Sequence, residues 1–295
     1  MARARELPDR ARVVIVGGGV GGAAIAHHLA NLGERDVVLL ERNELTSGST
    51  FHSAGLVGQL RSSVSLTRMM MDSVELYRTL DCGWVQCGGI RLACTPEREQ
   101  EVLRQVAWAK TFGLPLELIS AEQARELFPL MDTAGVRCAS YLPSDGYLDP
   151  SLLTTALVDG ARAGGCRVFT HTRVTGIDVD DSAPSQRRVR GVQTEWGPIE
   201  AEVVVNAGGM FAAELGRLAG VRVPIVPFAH EYLVTQPFRE RAQGEHLPTL
   251  RDPDLLIYFR EEGGGLVMGG YERQSAPWAL DGHLLDAIPA DFNGR

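Results

Sequence analysis

Residues 12–22 of the chain read RVVIVGGGVGG, a short β-branched run that leads directly into a glycine-rich turn. Such a run is typical of a buried parallel strand. Residues 23–33, AAIAHHLANLG, continue as a helix with small residues on one face and a glycine at its end. Residues 36–42, DVVLLER, have the pattern of a second strand. The stretch therefore predicts a βαβ unit close to the start of the chain.

Gly17, Gly19 and Gly22 fit the GxGxxG dinucleotide fingerprint, between a strand and a helix, where the motif is most informative. Glu41 follows Gly22 by 19 residues, at the end of the next strand. Gly17 permits the tight turn, Gly19 leaves no Cβ in the path of a pyrophosphate, and Gly22 lets the helix approach the strand. The N-terminus of the helix offers free N–H groups to phosphates, and Glu41 can accept hydrogen bonds from a ribose.

Residues 45–55 read LTSGSTFHSAG and follow Glu41 within a few positions, so we expect them beside the same ligand. Glu41 suits the adenosine ribose of NAD or of FAD, and it would repel the additional phosphate of NADP. Small residues in the loop would let the flat ring system of a flavin approach the backbone, with His52 among them. The loop therefore favours FAD over NAD.

The composition fits a soluble globular enzyme with two layered domains: the chain has 295 residues, 44% apolar and 22% charged. The net charge of −8 disfavours nucleic acid and anionic membrane as main partners, because both require a basic surface. The five cysteines include no CxxC pair, so we predict no disulfide framework and no metal site. With no membrane span and no secretory signal core, we expect a cytoplasmic protein, with the mitochondrial matrix as the alternative.

Helical and strand patterns follow in blocks along the rest of the chain. Residues 66–80, 96–113 and 152–165 have helical periodicity, and Ser120 with Gln123 predicts a capped short helix. Residues 84–96 predict two short strands around a glycine–glycine turn. Residues 166–180 and 188–209 predict further strands, with a hairpin loop over 180–188.

This order of patterns predicts an α/β fold, in which a Rossmann-like FAD-binding domain carries an inserted α+β substrate domain built on an antiparallel sheet. We expect the FAD-binding domain to comprise residues 1–82 and 145–220. The substrate domain is expected to comprise residues 83–144 and 221–295.

Six segments of the chain resemble the flavin-dependent N-methyl amine oxidoreductases, within the broader D-amino-acid-oxidase-like superfamily. This family includes the sarcosine and dimethylglycine dehydrogenases and dimethylglycine oxidase. The segments are VVIVGGGVGG (13–22), ERNELTSGSTFHSAGL (41–56), GWVQCGGIRLACTPER (83–98), PSDGYLDP (143–150), VVNAGG (204–209) and AHEYLVT (229–235). The loop segment is the most specific, because many folds share the glycine fingerprint.

By this resemblance, His52 matches the histidine that bonds covalently to the 8α carbon of FAD. The alternative is that His52 only hydrogen-bonds to the flavin or to a nearby backbone group. Further positions match places where the family contacts the cofactor through a loop, a strand or a turn: Arg42, Gly48, Ser49, Thr50, Val174, Ala207 and Gly208.

The resemblance also implies that His230, in the segment HEY, and Tyr258, in YFR, face the flavin across a small methylated amine. The family reaction moves a hydride equivalent from an N-methyl carbon to the flavin, and it requires the lone pair of the amine nitrogen. A histidine has a suitable pKa to accept the ammonium proton, while Tyr258 orients the amine or relays the proton. Arg260 is expected either to pair with a substrate carboxylate or to point into solvent.

Finally, the resemblance implies a chain that is incomplete at its C-terminus. Family members continue beyond GGYERQSAPW (269–278) with more substrate domain, and the dehydrogenases append a folate-binding region. Tetrahydrofolate is therefore expected only with such a module. An electron acceptor such as electron-transfer flavoprotein or oxygen is expected, with a quinone as a further alternative. The alternative function is an inactive regulatory subunit, like that of a pyruvate dehydrogenase phosphatase, which lacks the histidine matched by His52.

Overall fold

The computed structural model describes residues 6–182, 187–240 and 245–278. The strands are β1 (Arg10–Val16), β2 (Val37–Leu40), β3 (Leu56–Val57), β4 (Gly89–Ala93), β5 (Glu117–Ile119), β6 (Cys138–Leu142), β7 (Gly146–Tyr147), β8 (Arg167–Phe169), β9 (Val174–Asp180), β10 (Arg188–Thr194), β11 (Gly197–Asn206), β12 (Tyr232–Val234), β13 (Thr249–Asp252), β14 (Ile257–Glu262) and β15 (Gly265–Gly270). The α-helices are α1 (Val20–Asn31), α2 (Val64–Tyr77), α3 (Pro96–Ala109), α4 (Ala121–Leu127), α5 (Pro150–Ala163) and α6 (Ala212–Leu218).

These elements form two compact units that differ from the predicted domains in their boundaries. The first unit contains the described residues up to Ser53, Pro150–Phe228 and the described residues from Pro277. The second unit contains Ala54–Asp149 and Ala229–Ala276. Residues 54–82 belong to the second unit because β3 pairs with β7 and because the backbone N–H of Gln59 donates a 2.9 Å hydrogen bond to Asp145 Oδ1.

The first unit is built around a six-stranded sheet in the order β8-β2-β1-β11-β10-β9. The strands β8, β2, β1 and β11 are parallel, while β10 is antiparallel to both of its neighbours. Val14 of β1 packs on one face with Val192 and Ile199, whereas Ile15 packs on the other with Ala26 of α1. Burial on both faces explains why β1 is a continuous apolar run instead of an alternating one. The strands β9 and β10 form the predicted hairpin pair, and residues 183–186 of its loop lie outside the described residues.

The second unit contains a seven-stranded sheet in the order β12-β15-β14-β13-β4-β6-β5. Its pairs are antiparallel except for β13 and β4, which run parallel, so the sheet is mixed and not wholly antiparallel as predicted. Of the two short strands predicted over residues 84–96, the second is present as β4, whereas the first is not a strand. Val85 makes only an isolated bridge to Tyr147, and β4 takes its partners from β6 and β13, both distant in the sequence.

The predicted helices are present, with the capping that their sequences indicate. The Ser120 hydroxyl oxygen accepts a hydrogen bond from the N–H of Gln123, and Gln123 Oε1 accepts one from the N–H of Ser120, which completes the capping box of α4. After α3, a short 3₁₀ turn ends at Gly113, whose φ of 73° terminates the helical segment. Within the described ranges, no helix combines the length and apolar character needed to cross a membrane.

Candidate functional site

In the first unit, the glycine turn between β1 and α1 is closed by backbone contacts. Gly17 has a φ of +122°, and its N–H donates a 2.8 Å hydrogen bond to the carbonyl of Leu40. A Cβ at Gly17 would overlap the carbonyl oxygen of Ala207, and a Cβ at Gly22 would lie 2.0 Å from the carbonyl oxygen of Gly17. Both glycines are therefore required for β1, α1 and the turn after β11 to approach one another.

Gly19 differs because its close neighbour is a side chain and not backbone. A Cβ there would lie 2.9 Å from the Thr50 hydroxyl. The same hydroxyl accepts a 3.1 Å hydrogen bond from the N–H of Val20, the first residue of α1. A glycine at this N-cap of a twelve-residue helix leaves the backbone bare, which fits a pyrophosphate cradle.

Glu41 is held rigidly at the end of β2 by backbone donors. Its Oε2 accepts a 2.7 Å hydrogen bond from the N–H of Gly18, and its Oε1 accepts a 2.8 Å hydrogen bond from the N–H of Asn43. A carboxylate oxygen can accept more than one hydrogen bond, so both oxygens keep capacity for ribose hydroxyl groups. The cradle and Glu41 together fit the dinucleotide part of FAD.

The loop that contains His52 folds back towards the glycine turn. The N–H of Thr46 donates a 3.1 Å hydrogen bond to the carbonyl of Gly18. Gly48 has no neighbouring atom within 4 Å of the position of a Cβ, and Ser49 is exposed. His52 is half-buried, with its ring 5.1 Å from that of Phe51. Burial lowers the pKa of His52, which favours the neutral imidazole.

The other predicted cofactor residues also lie in the first unit. The guanidinium of Arg42 stacks over the ring of Phe211 at 3.8 Å, which fixes the side chain beside the turn after β11. In that turn, the N–H of Ala207 donates a 2.9 Å hydrogen bond to the carbonyl of Val16, and Gly208 continues the chain. The side chain of Val174 is buried in the core, so only its backbone is suited to contact a ligand.

In the second unit, His230 lies in a group of polar and aromatic side chains. Its Nδ1 lies 2.8 Å from Glu272 Oε2 and 3.3 Å from the Ser275 hydroxyl, and its ring centroid is 5.7 Å from that of Tyr271. The backbone N–H of Glu272 and the hydrogen bond from His230 lower the pKa of Glu272. An ionised carboxylate can only accept, so the hydrogen bond places a proton on Nδ1, and in the neutral tautomer Nε2 is the nitrogen that can accept one.

Tyr271 links His230 to Tyr258. The rings of Tyr258 and Tyr271 are 5.7 Å apart, and Tyr258 pairs with Gly269 on the adjacent strand. A Cβ at Gly269 would overlap the Tyr258 ring, so the glycine provides the space that the ring fills. Burial, followed by the effect of Tyr271, raises the pKa of Tyr258. Tyr271 and Glu272 could not be identified as site residues from the sequence, because no spacing pattern marks the segment that follows β15.

Arg260 has contacts different from those expected. Its guanidinium lies 2.5 Å from a carboxylate oxygen of Glu262 and stacks over the ring of Tyr147 at 4.9 Å. None of its contacts with the described residues involves His230 or Tyr258. Arg260 is thus already paired with an acidic group, which makes its guanidinium less available for the predicted pairing with a substrate carboxylate.

A second cluster, formed by Cys94, Asp252 and Asp254, has potential ligand atoms within 4.8 Å of one another. Its hydrogen bonds are those of a structured turn. Asp252 accepts from the N–H of Asp254 at 2.9 Å, and Asp254 accepts from the N–H of Cys94 at 2.9 Å. Burial, followed by the charge of Asp252, raises the pKa of the Cys94 thiol to about 11. These hydrogen bonds already engage both carboxylates with backbone donors of the turn, so we assign this cluster a structural role.

Comparison with known proteins identifies the class to which this arrangement belongs. The model of the FAD dependent oxidoreductase family matches residues 12–291, and the chain belongs to that family. This confirms the predicted resemblance. The structure of L-proline dehydrogenase from P. horikoshii superposes with a TM-score of 0.83 and 31% identity, over 92% of this chain and 71% of that one. It confirms the predicted fold class.

Two curated relatives are more similar in sequence. Human mitochondrial sarcosine dehydrogenase is 39% identical over 282 residues, which cover 93% of this chain and 30% of the relative. Rat mitochondrial dimethylglycine dehydrogenase is 39% identical over 294 residues, which cover 97% of this chain and 34% of the relative. The chain thus spans about a third of the length of each relative.

Proposed function

We propose that the chain is the flavin-dependent part of an enzyme that oxidises the N-methyl group of a small amino acid or amine, such as sarcosine or dimethylglycine. Family membership and the names of the two relatives support this proposal. The single observation that carries it is the orientation of His230 by Glu272, beside two tyrosines in the second unit. When bound, FAD would accept the hydride equivalent from the N-methyl carbon.

The role of the first unit in this proposal is to hold FAD. Gly17 and Gly22 shape the turn, Gly19 leaves room for the pyrophosphate, and Glu41 binds the ribose. Thr50 caps the first N–H of α1, and the turn at Ala207 lies against β1.

His52 is proposed to attach the cofactor covalently, through an imidazole nitrogen bonded to the 8α carbon. The lowered pKa of His52 supports this role, because only a neutral imidazole has a nucleophilic lone pair. Intact mass after acid denaturation should show an adduct of the size of FAD on the unaltered chain and on His28→Ala, which changes an exposed residue of α1. The adduct should be absent from His52→Ala. A flavin released from the unaltered chain by acid would remove this role.

His230 is proposed to accept the proton of the bound ammonium at Nε2, which frees the nitrogen lone pair for oxidation. Tyr258 orients the amine. The imine product hydrolyses to formaldehyde and the demethylated amine, or passes its carbon to tetrahydrofolate where a folate-binding module is attached. The electron acceptor, electron-transfer flavoprotein or oxygen, stays a prediction. The names of the relatives favour a mitochondrial location over the cytoplasm.

Formaldehyde release from sarcosine and dimethylglycine, with an artificial electron acceptor, tests the function. We expect turnover with both and none with glycine, which has no N-methyl group. His230→Gln should lower kcat by about a hundredfold, since general base catalysis contributes on that order. His28→Gln serves as the control. A flavin-loaded chain that turns over neither substrate would contradict the proposal and favour an inactive regulatory subunit.

A further inference from the structure

The second unit contains a polar cavity of ≈370 Å³ that none of the predicted site residues lines. It is bounded by the strands β4, β6 and β13, by the segment after β3, and by side chains of α3. Its charged lining consists of three arginines and two acidic residues: Arg61, Arg91, Arg251, Glu101 and Asp145. Trp108, Leu60 and Leu142 supply apolar surface.

The arginines of this cavity differ in their partners. Arg91 donates a 2.9 Å hydrogen bond to Glu101 Oε1, which neutralises that pair. In the described part of the chain, the guanidinium groups of Arg61 and Arg251 make no hydrogen bond and no ion pair. Burial, followed by the charge of Arg251, lowers the pKa of Arg61, which indicates that the two cations repel each other across the cavity.

Asp145 only partly offsets these cations. Its Oδ1 accepts hydrogen bonds from the backbone N–H of Gln59 at 2.9 Å and from Gln59 Nε2 at 3.2 Å. Its Oδ2 lies 3.1 Å from the position that a Cβ of Gly89, another lining residue, would occupy. Burial raises the pKa of Asp145 to about 6. Even when Asp145 is ionised, the pair of guanidinium groups faces one carboxylate, so one positive charge remains uncompensated.

The cavity lies close to the His230 group within the same unit. Tyr271, which contacts both His230 and Tyr258, also interacts electrostatically with Arg61. Arg251 likewise interacts with Tyr258, and it pairs with Tyr258 across β13 and β14. A ligand whose anionic end reached the two free guanidinium groups would therefore extend towards the side chains proposed to handle the amine.

We propose that Arg61 and Arg251 bind the carboxylate of an amino acid substrate, and that Asp145 limits the strength of this binding by offsetting part of their charge. This inference rests on the proposed function for the identity of the ligand as a substrate. It gives the carboxylate role to these two arginines in place of Arg260, which is paired with Glu262. Guanidinium groups suit this role because their planar fork matches a carboxylate.

The test measures binding without turnover, by calorimetry on the purified full chain. The probes are glycine betaine, which has a carboxylate and no nitrogen lone pair, and choline, which carries the same ammonium group with a hydroxymethyl group in place of the carboxylate. The variants are Arg61→Met, Arg251→Met and Asp145→Asn. Arg137→Met is the matched control, because Arg137 lies in the same unit and pairs with Glu99 outside the cavity. Thermal unfolding checks that each variant folds.

We expect glycine betaine to bind the unaltered chain more tightly than choline. Each arginine variant should weaken glycine betaine binding by about ten- to a hundredfold, as for the loss of a hydrogen bond to a charged group. Asp145→Asn should strengthen it, because Asn keeps the acceptor for Gln59 and removes the negative charge. Arg137→Met should bind both probes like the unaltered chain. If a methionine variant fails to fold, the corresponding lysine variant, Arg61→Lys or Arg251→Lys, replaces it. The lysine variant should bind glycine betaine less tightly than the unaltered chain does.

Equal binding of the two probes, or no binding of either, would overturn the inference. So would arginine variants that bind glycine betaine as tightly as Arg137→Met, or a folded Asp145→Asn that binds it more weakly. The expected pattern in a chain that does not oxidise sarcosine would support the carboxylate site while rejecting the proposed function. Oxidation of sarcosine by a chain that lacks this binding pattern would support the proposed function and reject the carboxylate site.

Discussion

Replacing Gly22 with alanine should destabilise the first unit, whereas the same change at the preceding residue should not. A Cβ at position 22 would lie 2.0 Å from the carbonyl oxygen of Gly17, so the helix and the turn would have to separate by about 1 Å to restore normal contact. The two nearest atoms belong to the backbone of Gly17, so no side-chain rotation can relieve the contact. The cost should reach the upper end of the usual overpacking range, about 3 kcal/mol. A Cβ at Gly21 meets nothing within 4 Å, and alanine there should gain about 0.5 kcal/mol.

Thermal unfolding of the flavin-free chain, followed by far-UV circular dichroism, measures this difference without a contribution from ligand binding. At roughly 2–4 °C per kcal/mol, Gly22→Ala should lower the midpoint by about 6–12 °C. Gly21→Ala should leave it unchanged or slightly raised. A Gly22→Ala chain as stable as the unaltered one, or an equal loss in Gly21→Ala, would refute the packing argument for the glycine turn.

Three further outcomes follow from individual contacts. Burial lowers the pKa of His27, so below about pH 6.5 the unfolded chain binds a proton at this histidine more readily than the folded chain does. The free energy of unfolding, measured in urea, should therefore fall from pH 7.5 to 5.5. The fall should be smaller in His27→Gln. An equal fall in both would exclude this histidine as a cause. Glu272→Gln should lower kcat by roughly tenfold, because His230 loses the carboxylate that orients it, and Glu272→Asp should recover part of the activity. An unchanged kcat would show that the carboxylate does not orient the base. Ser120→Ala should cost about 1 kcal/mol in urea unfolding through loss of the cap shared with Gln123, and no loss would mean that the cap is dispensable.

The features that could be predicted from the sequence are those encoded within a few neighbouring residues. The glycine fingerprint, the apolar strand before it and Glu41 after it predicted the turn that the structure contains. The capping box at Ser120 has a fixed three-residue spacing, and the structure confirms it. In each case the stabilising contact is local, so the order of residues determines it.

The features that could not be predicted depend on contacts between distant parts of the chain. Gln59 lies a few residues after the flavin loop, yet its hydrogen bonds to Asp145 place it in the second unit. The strand beginning at Gly89 pairs with segments about 50 and 160 residues away, and not with its neighbour across the glycine turn. Arg61 and Arg251 become significant only because the fold brings them to one cavity. No local spacing could have indicated that Arg260 would be paired and that these two would not.

Anaerobic mixing of the flavin-loaded chain with dimethylglycine or sarcosine tests the central claim most directly, because it needs no electron acceptor and no further protein. We expect either compound to remove the visible absorbance band of the oxidised flavin, with glycine leaving it unchanged. The reduction should be much slower in His230→Gln. A band that persists with both methylated compounds in a correctly loaded chain would contradict the assignment as an amine oxidoreductase.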